Sequence, residues 1–218
     1  MAVTLLDRWT ALMDRCQEDS GPEGGARPDP VPYGEKLLER WSEPQRRYHT
    51  VEHLTAVLDR IDAIGGHCAD PDAVRLAAWF HDAVYRPDRS ENEERSARLA
   101  ELALPEAGVS PVRTAEAARL VRLTEYHDPD PGDTNGEVLC DADLAVLAGD
   151  PEEYAAYAAA VREEYGFVPD DVFREGRAAV LRQLLGLERL FRTPMGEHWE
   201  HTARRNLTTE LELLTAAP

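Results

Sequence analysis

Two residues able to hold a metal ion or carry a proton, His81 and Asp82, sit near the end of an apolar run, residues 73–85, AVRLAAWFHDAVY. A soluble helix uses such a run to bury hydrocarbon. Burying an unpaired carboxylate there costs on the order of several kcal/mol, so a metal cation is one of the few partners that would justify both residues together. Two further segments carry groups of the same kind, His49-Thr-Val-Glu-His53 upstream and Asp141-Ala-Asp143 downstream. Imidazoles combined with carboxylates from separate segments suit a hard or borderline divalent ion, whose chemistry is the activation of water.

Helices must position these groups. Apolar residues recur at helical spacing almost everywhere, and no five-residue stretch joins β-branched enrichment to clean alternation, so an all-α fold of about eight to ten helices is expected. The spacing predicts helices over about 2–17, 33–42, 49–64, 72–85, 90–103, 110–127, 137–148, 169–185 and 196–214. Another starts at Asp150-Pro151 with Glu153 at its third position, and Ser90 with Glu93 reads as a second capping box. Residues 1–32 form a first helix and a Gly- and Pro-rich loop. A lone helix does not fold by itself, so they should pack on a core of residues 33–214 in a single domain, residues 1–218. No internal repeat is visible, so a solenoid is not expected.

Helical geometry ranks the candidates. His49 and His53 are four apart and project from one face, at the edge of the stripe Val51, Leu54, Val57, Leu58, Ile61 and Ile64. In the next helix Val74, Ala77, Ala78, His81, Val84 and Tyr85 share a stripe, which points His81 where a core residue belongs; Asp82 lies one step round, in line with Ala78. Leu139, Asp143, Val146 and Leu147 share a face, which favours Asp143 over Asp141 as a ligand. Asp141 fits a carboxylate interacting with a helix N-terminus instead.

The chain has 218 residues, 42 of them acidic and 24 basic, and a formal net charge of −18. Such a surface argues against neutralising a nucleic-acid polymer or an anionic membrane, so any phosphate is small and held in a local pocket. Cys16, Cys68 and Cys140 are far apart and form no CxxC, which points to reduced fillers rather than disulfides or a thiolate site. The stretch MAVTLLDRWTALMDRC carries charges every few residues and has neither a basic leader nor a long apolar core. A cytoplasmic protein without signal peptide or membrane span is expected.

Taken together, the motifs resemble the HD-superfamily metal-dependent phosphohydrolases, in which a His, a His-Asp doublet and a distant Asp stand on helices of one bundle. The match runs His53, His81-Asp82, Asp143. It extends to Tyr48-His-Thr-Val-Glu-His53, Trp79-Phe-His-Asp-Ala-Val-Tyr85, Asn92-Glu-Glu-Arg-Ser-Ala97, Leu139-Cys-Asp-Ala-Asp-Leu144, Val161-Arg-Glu-Glu-Tyr165 and Ala203-Arg-Arg-Asn-Leu207, over roughly residues 37–214, like an uncharacterised branch of predicted hydrolases. The first motif also resembles the YHNxxH element of cyclic-nucleotide phosphodiesterases, with Thr50 in place of Asn. By that resemblance His49 is the proton donor and His53 a ligand.

The resemblance implies a divalent ion (Mn, Mg, Co, Ni, Fe or Zn) held by His53, His81, Asp82 and Asp143, with Asp82 able to bridge a second ion. It implies hydrolysis of a small phosphate ester, a nucleotide by likeness, with Glu93 near the attacking water. His127, Arg162 and Arg204 are candidate phosphate contacts, and His127 is also a candidate ligand for a second ion. Each has a plain alternative: His127 as a cation at a helix C-terminus, Glu93 as a cap, the arginines as partners of nearby glutamates. His198 and His201 are expected to be exposed. Two other readings compete, a di-iron oxygenase on the same fold and a non-catalytic helical protein that binds metal or nucleotide.

Overall fold

In a computed structural model, which describes residues 4–18 and 27–216, the chain is helical throughout, with ten α-helices and no strand among the described residues. They are α1 (Leu5–Glu18), α2 (Val31–Trp41), α3 (Val51–Ile64), α4 (Pro71–Phe80), α5 (Asn92–Glu106), α6 (Pro111–Leu123), α7 (Thr134–Leu144), α8 (Pro151–Glu164), α9 (Asp170–Gly186) and α10 (Glu197–Thr215). Most of the Gly-rich loop between α1 and α2 falls outside the described residues. None of the described helices is long and apolar enough to cross a membrane.

The buried side chains form two clusters. The larger joins α1 to α7 around Trp9, Trp41, Trp79, Phe80 and Leu58. Trp9 meets Trp79 edge-on at 5.2 Å and donates its indole N–H to the carbonyl of Pro30 at 2.8 Å, which ties α1 to the start of α2. α2 comes so near that a Cβ on Gly34 would stand 2.4 Å from the Trp9 ring; only glycine fits there. The smaller cluster gathers Leu147, Leu181, Leu190, Phe191 and Leu207 under α8, α9 and α10. Trp199 packs against both clusters, and the chain passes from one to the other at the end of α7, through a 3₁₀ turn over Ala145–Ala148.

Several element boundaries depart from the sequence reading, and each departure involves a candidate residue. Helix α3 starts at Val51 behind the N-cap Thr50, leaving His49 outside it. Helix α4 ends at Phe80, so His81 and Asp82 occupy a turn closed by the Ala83 amide donating to Phe80 O at 3.0 Å. No capping box forms at Ser90: the N-cap of α5 is Glu91, in left-handed backbone at φ 68°, because Asn92 turns back to bond the amide of Arg86 at 3.1 Å and its carbonyl. Helix α6 stops at Leu123, and His127 lies beyond it at φ 53°. The loop expected before the next helix is shorter than read, since Asp133 caps α7 at Thr134.

Candidate metal centre

The three segments meet at the seam between the two clusters. α4 delivers His81 at its C-terminal end, where the amide of His81 closes the last helical bond to Ala77 O at 2.8 Å. The ring then bonds the free carbonyl of Ala78 through Nδ1 at 2.8 Å. A carbonyl accepts only, so Nδ1 carries a proton and Nε2 is the nitrogen left for a ligand, the arrangement by which ligating histidines are oriented. That nitrogen faces the carboxylates of Asp82, at 3.3 Å, and Asp143, at 3.6 Å.

His53, in the first turns of α3, supplies another nitrogen, its Nε2 3.2 Å from His81 Nε2 and 3.1 Å from Asp143 Oδ1. One ligand atom from each of His53, His81 and Asp143 lies within 4.8 Å of the others, a group that can hold a metal ion. For metal–ligand bonds of about 2.0–2.2 Å at angles between about 90° and 109°, neighbouring ligands stand about 2.8–3.6 Å apart, and the separations of 3.1, 3.2 and 3.6 Å fall in that range. Asp82 stands beside the trio, 4.0 Å from His53 Nε2. Burial pushes the His53 pKa down despite Asp143, which favours the neutral, ligating form. Burial opposes charge on Asp143, yet the imidazoles of His81, His127 and His53 hold its carboxyl well below the ordinary range.

Aromatic rings enclose the trio. Trp41 lies 5.3 Å from the His81 ring, and Tyr48 lies 4.7 Å from the His53 ring. Their bulk limits water and raises the strength of every electrostatic contact inside.

His49 is held apart from these ligands. Its Nε2 lies 3.9 Å from Asp82 Oδ2, while Nδ1 meets Glu164 Oε2 at 2.7 Å. Glu164, at the end of α8, also accepts the backbone N–H groups of Arg47, Tyr48 and His49 at 2.8, 2.9 and 3.0 Å and the hydroxyl of Tyr85 at 2.9 Å. Those amides serve Glu164 rather than a helix, which explains why α3 begins only after His49. Burial works against the His49 imidazolium, but Asp82 and Glu164 outweigh it and raise the pKa. Arg46 completes the frame. It is buried, and it donates to the carbonyls of His49 and of Asp82, both at 2.9 Å, locking the first segment to the second.

The remaining candidates divide. His127 Nε2 lies 2.8 Å from Asp143 Oδ2, so its ring orients or shares that carboxylate rather than lying along a helix end. Glu93 has no capping duty and lines a cavity of about 580 Å³ with His49, His81, Asp82, His127 and Asp143; burial raises its pKa. Arg162 and Arg204 are not on that wall. Arg162 is engaged by the carbonyls of Tyr165 and Val168 and by Asp170, and Arg204 by Glu200 and the carbonyls of Leu185, Leu187 and Glu188, so neither is free to clamp a phosphate. His198 and His201 are exposed, as expected.

Asp141 is no helix-end carboxylate. It is fully buried, and it accepts from the amides of Arg192 and Thr193, both at 2.8 Å, and from the Thr193 hydroxyl at 2.7 Å. Its work is to fasten the segment before α10 onto α7. Glu164, Tyr85 and Arg46 are the residues that sequence reasoning missed. Glu164 and Tyr85 each stood in a quoted motif, Val161-Arg-Glu-Glu-Tyr165 and Trp79-Phe-His-Asp-Ala-Val-Tyr85, without a role assigned, and Arg46 carried no signal.

Compared with family models, with curated proteins and with solved structures, the chain finds no match in any of the three.

Proposed function

We propose that this chain is a metal-dependent phosphohydrolase of the HD type, acting on a small phosphate ester, with nucleotides the first class to test. One observation carries the reading: an imidazole that ligates nothing, His49, is fixed by Glu164 with its free nitrogen turned towards a His53, His81 and Asp143 cluster. A purely structural metal site fills its own coordination and has no use for such a neighbour. A divalent ion bound there, with Asp82 as fourth ligand, would acidify water and polarise a phosphoryl oxygen. The chain's own part is positional. His81 and Asp143 are oriented by Ala78 O and His127, Tyr48 and Trp41 keep bulk water back, and His49 Nε2–H donates its proton to the departing ester oxygen. Glu93, on the same wall and with a raised pKa, is suited to accept a proton from the attacking water. No disulfide joins Cys16, Cys68 and Cys140 to one another, which suits a reducing cytoplasm.

Metal analysis of the purified protein, followed by phosphomonoesters, cyclic nucleotides and nucleoside triphosphates with Mn, Mg, Co and Ni, tests the reading. Turnover of at least one class that ceases with chelator supports it. Inactivity of metal-loaded protein across the panel replaces it with a metal- or nucleotide-binding role. A second reading, oxidation at a di-iron centre, is favoured by His127 standing on Asp143, where a further ligand would be wanted. Equal ester turnover with and without oxygen removes it.

A further inference from the structure

The cavity beside the cluster is divided in character. Beside its titratable groups, the wall carries an apolar face from α8 and α9, made by Val161, Val172, Phe173, Val180 and Leu184, with Gln183 among them. Val172 and Val180 are 54% and 47% exposed, apolar groups left uncovered at the mouth. Among the described residues Arg177 is the one lysine or arginine on the wall. It is already engaged by Glu210, through Nε at 2.8 Å and Nη2 at 3.0 Å. Glu93 and Glu125 line the same cavity, so an anionic group finds no free lysine or arginine on its wall.

His49 fixes which part of a substrate enters. It lines this cavity and not the adjoining one, which opens beside Arg47, Arg60 and Thr50 on the other side of Tyr48. The oxygen that His49 protonates must lie on its own side, and whatever that oxygen carries lies there too. We propose that the leaving half of the substrate is an apolar, uncharged, ring-sized group seated against α9. This rests on the hydrolase reading and names the substrate class for it. A volume of about 580 Å³ lies within the range that small-molecule sites occupy. Gly176 offers a handle, since it lines the same wall and a Cβ there meets nothing within 4 Å.

The test compares 2-phenylethyl phosphate with ethyl phosphate, esters of alcohols of similar acidity, and with 4-(phosphonooxy)butanoate, whose leaving half is anionic. With metal-loaded full-length protein, kcat/KM for the phenylethyl ester should exceed that for the ethyl ester at least tenfold, with the butanoate lowest. Gly176→Phe should cut the preference for the phenylethyl over the ethyl ester at least fivefold. Binding of 2-phenylethanol to metal-free protein, followed by saturation-transfer NMR, should be seen in the parent and lost in Gly176→Phe. Equal turnover of the three esters, or a variant that lowers all alike, overturns the proposal. If no ester is turned over, the hydrolase reading falls, and the alcohol then judges the cavity alone: binding lost in Gly176→Phe upholds the apolar subsite, and no binding in the parent overturns it.

Discussion

Glu164 holds His49 twice, by the ring, with Oε2 2.7 Å from Nδ1, and by the backbone, with Oε1 3.0 Å from the amide nitrogen. A carboxylate accepts only, so Nδ1 must be the donor in that bond, and Nε2 is the nitrogen left to face Asp82. Ring position, ring orientation and the proton on Nδ1 are thus set by one buried side chain, and a proton on Nε2 is the second one, that of the imidazolium.

Stability should report this contact through pH. Burial raises the Glu164 pKa, but the bonds from His49 and the backbone amides of Arg47 and His49 prevail and bring it from 4.5 down to about 2. A depressed folded-state value gives stability that is complete above the unfolded value and disappears as pH falls through the folded one. Glu164→Gln should therefore be less stable than the parent by on the order of 3 kcal/mol above about pH 4.5, with the gap closing towards pH 2. Urea unfolding across that range checks it. A gap constant with pH would assign the loss to shape instead.

His49→Ala should leave the metal content unchanged and lower hydrolysis about a hundredfold, the scale of a positioned proton donor. Metal analysis and kcat on the same preparation separate the two effects. Loss of metal in this variant would make His49 a ligand.

Asp143→Ala should lose metal and activity together, because its Oδ1 faces both His53 and His81. Asp141→Asn should do the opposite, keeping metal while destabilising by about 2–3 kcal/mol through its bonds to Arg192 and Thr193. Gly196→Ala should resemble Asp141→Asn, since the new Cβ would lie 2.2 Å from Asp141 Oδ2. Metal stoichiometry and thermal melting distinguish the two classes.

Arg204→Ala should lower the melting temperature and leave KM within twofold, because its guanidinium ties the end of α9 to α10 rather than facing the cavity. A KM rise of tenfold or more at unchanged stability would restore it as a phosphate contact.

What the sequence made legible was local chemistry. Asp150 caps α8 as its spacing predicts, taking the amides of Glu152 and Glu153, both at 2.9 Å, while Glu153 returns a bond to the Asp150 amide at 3.0 Å. The same pattern at Ser90 fails because Asn92 is drawn to Arg86 across the turn, a competition that a motif cannot display. Stripe geometry ranked Asp143 above Asp141 and misjudged what Asp141 does. Residues 138–142 are all buried, so α7 has no solvent face, and an amphipathic argument finds nothing to read there. The contact between Glu164 and His49 lay beyond reach for a different reason, since 115 residues separate the two and no periodicity links them.

The seam between the two buried clusters separates two kinds of change. His53, His81 and Asp143 are carried by α3, the end of α4 and α7, which pack in the larger cluster, whereas the apolar cavity wall is built by α8 and α9 of the smaller. On the hydrolase reading, substitutions on the outer faces of α8 and α9 would reshape what is accepted while His53, His81 and Asp143 stay in register, with Glu164 as the joint between the two halves.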